Sequence, residues 1–138
     1  MSQDTDVFIS VALSPGNPDL GQFPVRETIR YDQFVRQLFN ADTEKTMALH
    51  AALGVCGEAG ELGDAIKKQY IYGKPADYVN IIEELGDIEF YLQAVRNHYQ
   101  ISRAIVIQAN AEKLSKRYVG LKYTDEAAIN RADKKDSN

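Results

Sequence analysis

Between Asp77 and Tyr99 the chain places apolar residues on two sides of one helix. Ile82, Leu85 and Leu92 share one side; Ile81, Ile88, Tyr91 and Val95 share the other. A helix apolar on two sides is buried on two sides. The rest of the chain must therefore supply neighbours for both. Two acids, Glu84 and Asp87, sit within the second apolar side, between Ile81 and Tyr91.

The flanking sequence reads as further helices. Ile29, Phe34, Leu38 and Phe39 predict a short amphipathic helix starting near Thr28. Asp42 or Thr43 caps a second helix, which runs to about Tyr72 with the stripe Val55, Ala59, Leu62 and Ile66. Gly73-Lys74-Pro75 ends it. Asp77 caps the third helix, and Ser102 caps a fourth that reaches about Tyr118. Residues 1–27 read as an arm. Val7, Ile9, Val11 and Leu13 alternate as in a short extended piece, and SPGNPDLGQFP follows as loop. Residues 120–138 are polar and read as a loose tail with one short helical turn. There is no repeat and no strand–helix alternation. The expected fold is all-α: an antiparallel bundle of about four main helices over residues 28–119, with an extended N-terminal arm.

Composition narrows the classes of function. With 138 residues and 44% hydrophobic content the chain buries a core as one domain. Its net charge of −4 and isoelectric point of about 5.2 argue against non-specific nucleic-acid binding. One cysteine, Cys56, allows no intramolecular disulfide and fits a cytoplasmic setting. With His50 and His98 it also leaves a structural zinc site short of ligands. Cys56 is expected as a small packing residue, and the two histidines as structural or exposed. No apolar run is long enough to span a membrane, and MSQDTDVFIS lacks the pattern of a signal peptide.

The carboxylates carry the chemistry. Glu58 and Glu61 are three apart and neighbours on the second helix; Glu84 and Asp87 repeat that spacing on the third. The 22 residues between Glu61 and Glu84 suffice to end one helix, turn at Gly73 and return antiparallel. The two pairs would then face each other across the seam. Four converging carboxylates repel, and buried ones neutralise or find a partner. A hard divalent cation such as Mg2+ is the natural partner. No histidine stands at these positions, which disfavours a ferritin-like di-iron site. Gly54, Gly57, Gly60 and Gly63 recur at every third position and Gly86 lies between the two acids. Each costs a helix about 1 kcal/mol relative to alanine, so their return is room for close helix approach or a flat ligand. Lys67 and Lys68 follow two turns after Glu61, and Asn110, Lys113 and Arg117 share one face of the fourth helix. Basic groups beside a metal-holding acidic cluster suit a polyphosphate. Spacing alone leaves a plainer reading open: solvated helix faces in which Glu58, Glu61 and Asp64 pair with Lys67 and Lys68.

The strings Glu58-Ala-Gly-Glu61 and Glu84-Leu-Gly-Asp87, with Asn110-x-x-Lys113-Leu-x-x-Arg117-Tyr118 downstream, resemble the ExxE…ExxD signature of the MazG-like all-α nucleoside triphosphate pyrophosphohydrolases. HAALGVCGEAGELGDAIKK and NIIEELGDIEFYLQAV are similar to short single-domain members of phages and bacteria. The resemblance covers about residues 28–118. It implies Mg2+-dependent cleavage between the α and β phosphates of a nucleoside triphosphate, with Mn2+ as a substitute. Glu58, Glu61, Glu84 and Asp87 are implied metal ligands, with Glu58 or Glu61 as general base. Lys67, Asn110, Lys113 and Arg117 are implied to hold phosphates. A homodimer or dimer of dimers is implied, which the two-sided third helix independently favours. A phage-encoded member would act in the host cytoplasm. Siblings acting on phosphoribosyl-ATP, dUTP or an alarmone stay open, as does a non-catalytic nucleotide-binding or oligomerisation module. The walls of the base pocket are expected from Gly54, Cys56, Phe34 and Leu38.

Overall fold

The computed structural model describes residues 7–14, 16, 19, 24–39 and 44–134. These residues are mostly helical, with a small two-stranded sheet. Much of SPGNPDLGQFP, and the expected cap at Asp42 or Thr43, lie outside them.

Strand β1, Phe8–Ala12, is the alternating piece of the arm, and it pairs antiparallel with β2, Arg26–Arg30. Phe8 stands opposite Arg30, and Ala12 opposite Arg26. The guanidinium of Arg26 fastens the ribbon by donating to the Ser10 hydroxyl and carbonyl, both at 3.0 Å. This corrects the expected start of the first helix. Thr28 and Ile29 are β-branched and suit a strand once a partner strand is present. Helix α1 begins only at Tyr31 and ends at Leu38.

Helix α2 spans Glu44–Tyr70, and helix α3 spans Tyr78–Tyr99. Between them the backbone turns back at Gly73. Lys74 N–H reaches back to the Lys68 carbonyl at 3.1 Å, and Gly73 adopts φ +62°, where a Cβ would be strained. Asp77 caps α3 as expected, accepting from the Asn80 N–H at 3.1 Å. The pairing of the two helices shows their direction. Ala51 shares a core with Ala94, Gly54 meets Tyr91, and Glu58 meets Glu84 and Asp87. Positions rise on one helix as they fall on the other, so the pair is antiparallel about the turn at Gly73.

The core is Val35, Phe39, Ala51 and Ala94, with Tyr31, Phe34, Met47, Phe90, Tyr91 and Val95 packed on it. Polar bonds lock α1 to α3: Asn97 donates to the Asp32 carbonyl at 3.0 Å. Arg96 is buried and held by Gln93 at 2.7 Å and Glu89 at 3.1 Å. The expected burial of α3 on two sides is not met within one chain. Ile81, Ile88, Tyr91 and Val95 are half-buried, but Ile82 is 70% exposed and Leu85 51%.

The described chain divides into two compact units, one ending at Gln100 and the other beginning at Ile101. In the second, helix α4 spans Arg103–Arg117, capped by Ser102, which accepts from the Ile105 N–H. The segment after it, expected as a loose tail with one short helical turn, is folded as far as Lys134 and includes a short helix. A 3-10 turn at Val119–Leu121 leads to helix α5, Asp125–Asn130, capped by Thr124, and to a second turn at Ala132–Lys134. No helix among the described residues is long and apolar enough to cross a membrane.

Candidate metal centre

Glu58 comes from the middle of α2, and Glu84 and Asp87 from the second turn of α3 onward. The spacing of three sets Glu84 and Asp87 on one face, and the antiparallel pairing brings Glu58 opposite. One carboxylate oxygen from each lies within 4.8 Å of the others. Glu84 is only 7% exposed, Glu58 is half-buried, and Asp87 is exposed. Burial pushes the Glu84 carboxyl above the usual carboxylate range, and the charges of Glu61, Glu58 and Asp87 push it the same way. Glu61, expected as the fourth member, is exposed and outside the group of three, though near enough for its charge to act on Glu84. Among the described residues no salt bridge or side-chain hydrogen bond reaches any of the four.

That donor set fits a hard divalent cation. It offers oxygen only, carries several negative charges, and has an exposed side where water and a phosphate would complete the coordination.

The glycines divide into two kinds. A Cβ on Gly54 would stand 2.4–2.6 Å from three ring carbons of Tyr91, so this glycine lets α3 close on α2. Gly57, Gly60, Gly63 and Gly86 have nothing within 4 Å of such a Cβ. Tyr91 is itself wedged among Phe90, His50 and Phe39, with centroids 5.4, 6.0 and 6.1 Å away. Sequence reasoning missed this aromatic cluster, because its four rings come from α2, α3 and the residue that follows α1.

The basic residues are engaged rather than free. Lys67 and Lys68 both grip Asp64, at 2.6 and 2.9 Å, and Lys67 also stands 5.6 Å from the Tyr72 ring centre. Their hydrogen bonds hold the Asp64 carboxyl down at about 2. The plainer reading of that row therefore holds for Asp64 and its lysines; Glu61 is exposed without such a pair among the described residues, and Glu58 joins the carboxylate group. In the second unit Asn110 and Lys113 are exposed and line a shallow cavity of about 550 Å³ with Ile101, Ile105, Val106 and Ala109. Arg117 is bound to Asp133.

Two of the expected pocket walls have exposed side chains. Cys56 is exposed rather than packed, and so is Leu38. A 380 Å³ cavity of the first unit is lined by Arg36, Phe39, Met47, Ala94, Asn97, His98 and Gln100. His50 is exposed beside Phe39, and His98 is half-buried edge-on to Tyr99.

Fold and site together define a mostly helical protein with an interhelical carboxylate cluster that could hold a divalent cation. The MazG nucleotide pyrophosphohydrolase domain matches residues 46–120, more than half of the chain, and the chain belongs to that family. Neither a curated protein nor a solved structure matches it.

Proposed function

We propose that this protein hydrolyses a nucleoside or deoxynucleoside triphosphate between the α and β phosphates, giving the monophosphate and pyrophosphate. The observation that carries this reading is the convergence of Glu58, Glu84 and Asp87, with no cationic side chain paired to them among the described residues. Family membership sets the reaction class. Glu58, Glu84 and Asp87 would hold the ion, Mg2+ or Mn2+, with Glu61 beside them. Bound there, a divalent cation would supply polarisation of the phosphate and a lower pKa for a coordinated water.

The chain's own residues have separable tasks. Glu58 or Glu61 accepts the proton of the attacking water. Buried Glu84 fixes the floor of the site, and the Tyr91–Gly54 contact sets how near α3 stands to α2. Lys67, Asn110, Lys113 and Arg117 take the charge of the phosphates. A second copy covers Ile82 and Leu85, whose exposure in one chain conflicts with their size and apolarity, giving a homodimer or dimer of dimers.

The test is product analysis of the purified protein with MgCl2 and a panel of common, modified and deoxy triphosphates. Monophosphate plus pyrophosphate is expected, and Glu61→Gln or Asp87→Asn should abolish it. Orthophosphate release would place the cut at another bond. If the whole panel yields no product while nucleotide still binds with Mg2+, a non-catalytic binding module is the correct description.

A further inference from the structure

The 380 Å³ cavity of the first unit lies where the end of α1 meets the last turns of α3. Its floor is apolar: Phe39 is 8% exposed, Ala94 2%, and Met47 is half-buried. Its rim is polar, from Arg36, Asn97 and His98. Ligand pockets hold about 300–1,000 Å³ and set a few polar groups around an apolar lining, and this cavity does both. The Phe39 ring is itself fixed, with His50, Phe90 and Tyr91 at centroid distances of 5.1, 6.0 and 6.1 Å. A ring held that firmly gives a second aromatic ring a surface to pack on.

Arg36 brings a charge that its neighbours leave largely unspent. The Asp32 carboxylate is gripped at both oxygens by Arg30, at 2.9 and 2.8 Å, and Arg36 Nη2 stands 3.9 Å from it. The other contact of Arg36 is a long bond, 3.5 Å, to Asn97 Oδ1, which already accepts from Gln93 Nε2 at 2.9 Å. Two arginines beside one aspartate leave one positive charge over. A guanidinium has five N–H donors, and neither contact of Arg36 has the length of a strong bond. We propose that this cavity binds a small organic anion with a flat apolar body, its carboxylate or phosphate on Arg36 and its ring on Phe39, Met47 and Ala94. A planar guanidinium matches both kinds of anion with two parallel bonds. Asn97 stiffens the rim, since its amide also donates to the Asp32 carbonyl at 3.0 Å.

This site is separate from the carboxylate centre. Asn97 follows Asp87 by ten residues on α3, and Met47 precedes Glu58 by eleven on α2. At the rise of an α-helix the two places are about 15 Å apart along the pair. The seam between them is shut, because Gly54 meets Tyr91 and Ala51 shares the core with Ala94. Arg36 and Phe39 also precede residues 46–120, so the family match assigns them nothing.

The test is an amide NMR titration of the full chain, metal-free in EDTA, with anilinonaphthalene sulfonate, a flat aromatic body carrying one anion. Shifts should centre on Arg36, Phe39, Met47 and Asn97 and share one Kd. Arg36→Gln should weaken that Kd at least about tenfold, and Arg36→Lys should lie between the two. Lys122→Gln, on the exposed surface of the second unit, and Asp87→Asn, in the carboxylate centre, should leave it unchanged. The uncharged counterpart, N-phenylnaphthylamine, should bind at least about tenfold more weakly. The inference is overturned if the shifts fall elsewhere, if Arg36→Gln binds like wild type, or if the uncharged counterpart binds as tightly. Competition separates the sources of the anion. Displacement of the probe by a nucleoside monophosphate points to a product of the proposed hydrolysis, and displacement by indole acetate alone to a ring carboxylate. Displacement by neither at millimolar concentration overturns the inference. The readout is binding alone, so a chain that proves inactive on every triphosphate leaves this result standing.

Discussion

Gly54→Ala is the sharpest probe of the seam between α2 and α3. By helix propensity alone the change should stabilise α2 by about 1 kcal/mol. The new methyl, however, would stand 2.4–2.6 Å from Cδ1, Cε1 and Cγ of Tyr91. Carbon atoms rest about 3.5–4.0 Å apart, so the ring or the helix must move by roughly 1 Å. The ring has little freedom, since Phe90, His50 and Phe39 surround it. Overpacking of this kind costs about 1–3 kcal/mol, and a blocked ring belongs at the upper end. The net expectation is a loss of about 1–2 kcal/mol. Gly63→Ala is the internal control: its Cβ meets nothing, so about 1 kcal/mol of stabilisation remains. Urea unfolding followed by circular dichroism at one fixed protein concentration reads both. With a slope of about 1–3 kcal/mol per molar urea, the two midpoints should differ by about 1 M or more, in opposite directions from wild type. In a Tyr91→Ala background the sign at position 54 should reverse, because the obstacle is gone. If Gly54→Ala proves as stable as Gly63→Ala, or Tyr91→Ala leaves its effect unchanged, the close seam described for these helices is wrong.

Two further outcomes follow from the same structure. Glu84 has its carboxyl raised in the folded state, so between the ordinary and the raised value the folded protein binds more protons than the unfolded chain; metal-free stability should fall as pH rises through that window. MgCl2 should oppose the fall, so its rise in melting temperature should grow with pH, and Glu84→Gln should flatten both dependences; a metal effect independent of pH would count against Glu84 as a ligand. Arg96→Leu should destabilise the first unit by about 1.5–2 kcal/mol in the same urea assay, because Gln93 and the part-exposed Glu89 lose the cation they share; a loss below about 0.5 kcal/mol would show that this network contributes nothing to stability.

The helices were legible before any coordinates because their signals are local. Period, caps and breakers act within one or two turns. Asp77, Ser102 and the Gly73 turn stand where the sequence places them. The meeting of Glu58 with Glu84 and Asp87 was legible as well, since one short turn between two helices of known length leaves little choice of register. Glu61 shows the limit of that argument: a helical spacing assigns a face but not the last few ångströms, and the same face can carry one half-buried carboxylate and one exposed one. The strand at Arg26–Arg30 was missed because its reason lies in Phe8–Ala12, and a window over Thr28 and Ile29 contains no trace of that partner.

By itself, then, the amino-acid order determined a helical chain with two acidic pairs set to oppose each other, because backbone hydrogen bonding and side-chain periodicity are properties of neighbours. Only the folded chain decided which carboxylate is buried, that Tyr91 rides over Gly54, and that Asp133 closes on Arg117 from sixteen residues away. Those depend on distances between segments that share no local sequence. Such distances are fixed by how side chains of particular volume and charge fill the space between helices.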